Sequence, residues 1–193
     1  MANRQDPRVL RTRQLIKDAF RDLLRTKGFD SITINDIAQR ATINRATFYA
    51  HFEDKYSLLE EITEQVIREM IPEQVMNASE FTGEICDQLI ALTHRYIEDF
   101  YRICRMDSKS MATIVDAKIK KLLQQKIESI LLKEDTCQMA DRKHTEIMAA
   151  MTGSAIYGAA YYWLNEKNTR TDLLADLVRP YVMNGLSRSR MRE

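Results

Sequence analysis

Apolar side chains recur along this chain at the three-to-four-residue spacing of amphipathic helices. From Arg8 to Lys27 one stripe carries Leu15, Ile16, Ala19, Phe20, Leu23 and Leu24, and Gly28 follows where a left-handed cap would end the helix. Phe29 and Ile32 can cover the end of that stripe. Thr33 is an N-cap by type, with Asp36 in the first turn of a helix from Ile34 to about Ala41 that buries Ile37, Ala38 and Ala41. After the break Thr42-Ile43-Asn44, Asn44 caps the segment Arg45 to Phe52, where Phe48 and Phe52 share a face and Tyr49 lies alongside. Asp54 opens a longer helix, with Leu58, Leu59, Ile62, Val66 and Met70, that Pro72 ends near Ile71.

Longer helices follow: Glu84 to about Arg105, Met111 to Leu132, Lys143 to Glu166, and Asp172 to about Leu186 with a kink expected at Pro180. The polar run Asp135 to Asp141 and the stretch Asn168 to Thr171 read as loops. Three short helices thus occupy the first 52 residues, and a turn of three or four residues joins the second to the third. That is the arrangement of a helix-turn-helix, whose second helix enters the DNA major groove.

Composition narrows the fold class further. The 193 residues include only 5 Gly and 3 Pro, too few for the turns of an all-β chain, so the fold class is all-α. No run of apolar residues is long enough to span a membrane, and the charged start MANRQDPRVL is no signal peptide, so a cytoplasmic protein is expected. Three cysteines, an odd number, fit a reducing compartment. The near-neutral total hides a split. Residues 1–56 hold 11 Lys and Arg against 7 Asp and Glu, and the remainder is mildly acidic, which orients the first part toward a polyanion.

The run TINDIAQRATINRATFYAHFEDKYSLL, Thr33 to Leu59, resembles the DNA-binding signature of the TetR family of bacterial one-component repressors. Thr33, Ile37-Ala38, Ala41, Thr47, Tyr49, Phe52 and Lys55 all fall at the family's spacings. The resemblance covers residues 10–60 without a gap. It departs in Ala41-Thr42, where the family has Ala-Gly, and in Ala46, where Gly is frequent; Thr42 is sterically feasible if its φ stays negative. The family implies a domain at 1–54 that binds an operator in double-stranded DNA, and a helical effector-binding and dimerisation domain at 55–193.

Asn44, Arg45, Ala46 and Thr47 stand at the start of the reading helix, where side chains meet base edges. Arg45 is the candidate for bidentate contact with guanine, its alternative being a phosphate contact. The resemblance gives Tyr49, His51 and Lys55 as phosphate ligands, while Thr33 serves as N-cap and phosphate donor. Arg4, Arg8, Arg11 and Arg13 form a basic arm able to enter a minor groove, or a solvated terminus.

Ala150, Ser154 and Gly158 form a stripe of small residues that lets a second helix approach, either within the chain or in a homodimer. Leu174, Leu177, Val178 and Tyr181 add a face of the last helix to that dimer. Tyr96, Phe100, Met111 and Trp163 suit an adaptable pocket for a small apolar effector, or an ordinary core. Cys86, Cys104, Cys137, His94 and His144 lack metal-ligand spacing, and no motif for a cofactor or for catalysis is present. The reading is a repressor released by an effector. The alternative is a DNA binder without one, whose second domain recruits a protein partner.

Overall fold

The computed structural model describes residues 6–103, 109–134, 142–166 and 170–190. Among them are nine α-helices and one 3-10 turn, and no strand. The helices are α1 Pro7–Thr26, α2 Ile34–Arg40, α3 Arg45–Tyr49, α4 Lys55–Met70, α5 Glu73–Asn77, α6 Gly83–Ile103, α7 Lys109–Glu134, α8 Arg142–Asn165 and α9 Thr171–Arg190. Among the described residues no helix is long and apolar enough to cross a membrane. The expected loop at 135–141, Asn168, Thr169, Arg4, Cys104 and Cys137 lie outside the described residues.

Two compact units are present: Met1–Gln65 with Phe100–Asp116, and Val66–Asp99 with Ala117–Glu193. The first is a small helical core. Asp6 caps α1 by accepting from the Arg8 N–H at 2.8 Å, and Pro7 supplies a first-turn φ already suited to a helix. Ile16, Ala19, Phe20 and Leu24 are buried along α1. Phe29, on the 3-10 turn Phe29–Ser31, meets Phe20 edge-on at 6.2 Å.

Two turns differ from their sequence readings. Gly28 does not adopt the left-handed conformation: its φ is −64°, and the helix ends on Lys27 in extended backbone. Thr42 does adopt it, at φ 56°. The reason is the way α2 ends. The Thr42 N–H bonds the Gln39 carbonyl at 3.1 Å and the Ile43 N–H bonds the Ala38 carbonyl at 2.9 Å, the pair of bonds that defines a Schellman turn. That turn needs a left-handed residue at its first non-helical position, and Thr42 occupies it despite its branched Cβ.

In the second unit α8 packs on α9. A Cβ added at Gly153 would lie 3.2 Å from the Gln124 backbone N, so α8 and α7 approach there as backbones. The short α5, which begins after Pro72, has no counterpart in the sequence reading. Five residues are too few for a helical period to register.

Candidate nucleic-acid interface

Each helix that could meet DNA begins with a closed cap. At α2 the Thr33 hydroxyl accepts from the Asp36 N–H at 3.1 Å and donates to Asp36 Oδ2 at 2.8 Å, while the Thr33 N–H donates to the same oxygen at 2.9 Å. These bonds, with Lys27 Nζ 3.0 Å from the other carboxylate oxygen, hold the Asp36 carboxyl down at about 2. Thr33 is therefore a cap whose hydroxyl and N–H are already taken by a carboxylate.

At α3 Asn44 Oδ1 accepts from the Thr47 N–H at 2.7 Å and the Thr47 hydroxyl at 3.0 Å. Asn44 and Thr47 are thus tied to each other. Arg45 and Ala46 follow on the exposed first turn, and Arg45 has no ion pair among the described residues. Tyr49 is half exposed with its ring edge-on to the buried Phe48 at 5.7 Å. Burial and the neighbouring Arg13 guanidinium push the His51 imidazole below its ordinary value, so at neutral pH it offers a hydrogen bond and no charge.

Lys55 stands at the start of α4. Its ammonium donates to the carbonyls of Phe29 at 2.9 Å, Asp30 at 3.1 Å and Ile32 at 2.9 Å. It also lies 4.6 Å from the Phe29 ring centroid. These three carbonyls engage all three ammonium donors, which fastens the start of α4 to the turn after α1. Burial holds its pKa below the usual lysine value, partly offset by Asp30. Arg13 is a second fastener. It donates to the His51 carbonyl at 2.7 Å, pairs with Glu61 on α4, and stands 4.3 Å from the Phe52 centroid. Arg13 therefore leaves the basic arm, while Arg8 and Arg11 are exposed on α1. The signal for Arg13 was present in its spacing, three residues before Ile16 and seven before Phe20 on the buried stripe.

Residues 16–62 match the model of bacterial regulatory proteins, tetR family. Over these residues the chain is similar to the DNA-binding part of that family. It is 36% identical over 90 residues to an uncharacterized helix-turn-helix transcriptional regulator, YxbF, of Bacillus subtilis (strain 168), covering 45% of this chain and 24% of that protein. It is 33% identical over 88 residues to the dhaKLM operon transcriptional activator DhaS of Lactococcus lactis subsp. lactis (strain IL1403), covering 46% of this chain and 44% of DhaS. The chain therefore spans less than half the length of either relative. The fold is similar to that of a TetR transcriptional regulator from Streptococcus agalactiae 2603V, with TM-score 0.57 and 18% identity, over 92% of this chain and 97% of that one.

Beyond the helix-turn-helix, the chain has a cavity of about 370 Å³ wholly inside the second unit. Ile67 of α4, Ile71 just after it, Leu89 and Tyr96 of α6, and Ile119 and Leu123 of α7 are among its lining. Of the expected pocket residues only Tyr96 lines it. Phe100 and Met111 belong to the other unit, and Trp163, on α8, is not in the lining. The apolar residues of α7 wrap around most of the helix, so periodicity could not tell which of them face a cavity.

The outer surface of α8 and α9 is apolar. Met151 and Tyr162 are exposed on α8, with Ser154 and Gly158 between them, and nothing lies within 4 Å of a Cβ placed on Gly158. Ala150 is half-buried at the edge of this face. On α9 Leu177 is 66% and Tyr181 74% exposed, with Val178 half-buried beside them. Leu174 departs from its expected place: at 2% exposure it is packed inside its own protomer, and Leu173 takes the outer position.

Proposed function

We propose that this chain is a homodimeric, operator-binding transcriptional regulator, a repressor that a small apolar effector releases from DNA. The observation that carries the reading is α3 itself: a capped helix behind a Schellman turn, with Arg45 exposed and unpaired on its first turn, in a tetR-family domain. In this reading Arg45 meets a base edge or phosphate in the major groove, and Ala46 lies against a neighbouring base. Tyr49 and His51 donate to phosphates. The exposed faces of α8 and α9 pair with those of a second copy, as a twofold-symmetric operator requires.

The effector acts by population shift. Ile67 and Arg68, near the end of α4, line the cavity, and the beginning of the same helix is fastened through Lys55. A ligand that favours one position of α4 changes the separation of the two reading heads. A coupling of about 1–3 kcal/mol corresponds to roughly 5–150-fold weaker operator binding. The relative DhaS is named an activator, and in the second reading the unit around α8 recruits a protein partner with no small ligand.

Selection of duplexes from a random pool by the full chain tests the DNA reading. Two inverted half-sites about one helical turn apart, ~34–36 Å, are the expected product. Absence of any enriched sequence would refute it. A reporter placed behind the selected site then separates repression from activation.

A further inference from the structure

The helix read as facing DNA is too short to hold its own shape. α3 has five residues, Arg45–Tyr49, and a helix of little more than one turn persists only where other contacts hold it. Its start is held by Asn44, which accepts from the Thr47 N–H. Its other end is held from outside. The Arg13 guanidinium of α1 donates to the His51 carbonyl at 2.7 Å and lies 4.3 Å from the Phe52 ring centroid. Arg13 is paired in turn with Glu61 of α4. Glu61 also pairs with Lys17 of α1 at 2.8 Å, and Lys17 donates to Gln65 Oε1 at 2.8 Å. All of these residues lie within the first unit. We infer that Glu61 and Arg13 are positioning residues for operator binding: through them α4 sets where the end of α3 stands, with Tyr49 and His51 on it. The inference deepens the operator-binding reading and rests on it.

Chemistry suits the pair to this role. A guanidinium is a rigid planar fork, so Arg13 gives one N–H to a carbonyl and another to a carboxylate while its face covers a ring. The side chains of Arg13 and Lys17 are only 21% and 11% exposed, which limits the competition of water for their bonds to Glu61. Positioning also opposes what charge alone would do. A carboxylate in a unit that binds a polyanion repels phosphates, so removing it without any other change should strengthen operator binding. If Glu61 acts by holding Arg13, its removal weakens binding instead. The sign of the effect separates the two roles.

Affinity of the full chain for a duplex selected by the unaltered chain, measured beside urea unfolding, tests the inference. Glu61→Gln should weaken binding about fivefold to tenfold. Arg13→Lys keeps the charge but loses the fork, and should weaken it by a similar factor. The double variant should lose little more than either alone, because both substitutions break one path. Unchanged or tighter binding by Glu61→Gln, or losses that multiply in the double variant, would overturn the inference and leave the operator reading standing. So would a lowered urea midpoint with the affinity of the folded variants intact, the mark of a merely structural pair. Enrichment of no duplex by the unaltered chain would overturn both. If Glu61→Gln fails to fold, Arg13→Lys decides alone, since with its charge retained an undiminished affinity overturns the inference.

Discussion

In the first unit polar side chains are turned onto the chain's own backbone. Asp6, Thr33, Asn44 and Asp54 each close a helix start, and Lys55 closes three carbonyls of the turn after α1. In the second unit apolar side chains are left facing outward. Met151, Tyr162, Leu177 and Tyr181 stand exposed on α8 and α9, and a cavity opens among α4, α6 and α7. The contrast is between a unit whose polar groups are spent within the chain and one that leaves an apolar face and a cavity open. Arg45, like Arg8 and Arg11 of α1, is exposed, and it alone of the three lies on the first turn of α3.

The largest effect should come from unfastening the first unit. Lys55→Ala leaves three carbonyls without their shared donor and should cost about 2–4 kcal/mol in urea unfolding of the full chain. A loss below about 0.5 kcal/mol would mean that water replaces the ammonium freely and that the unit is not closed by it. The effect of Arg45→Ala should be opposite in kind. It should cost about 1–3 kcal/mol of affinity for a selected operator and leave stability within about 0.5 kcal/mol. Relaxed preference at one base pair per half-site marks a base contact, and a uniform loss across sequences marks a phosphate contact.

Smaller effects are expected at the two turns, with a common sign and different causes. Thr42→Gly removes a branched Cβ from φ 56° and should stabilise the chain by about 1 kcal/mol, seen as a raised urea midpoint. Gly28→Ala should stabilise it by about 0.4–1 kcal/mol, because Gly28 uses no left-handed freedom and a Cβ there meets nothing within 4 Å. Destabilisation by either substitution would show that its turn relaxes to another conformation in solution.

Much of this was legible in the sequence, and what was not has a physical reason. The stripe of α1, the caps Thr33, Asn44 and Asp54, and the turn before α3 are local features, set by residues within a few positions of one another. The family's spacings located α3 and Arg45. The backbone partners of Lys55 were not legible because they lie 23 to 26 positions earlier in the chain. Thr42 misled because residue type favours a negative φ, whereas the two bonds that end α2 require a positive one. Phe100, Met111 and Trp163 misled because size and adaptability mark a core as readily as a cavity. Half of the residues lining the cavity are ordinary Ile and Leu.

The contrast between the two units meets its most direct test in the mass of the protein–operator complex under native conditions. Two copies per selected duplex are predicted, falling to one when Leu177 and Tyr181 are both replaced by Asp, with the helical circular dichroism retained. One copy of the unaltered chain per duplex, bound as tightly as the account requires of two, would contradict it.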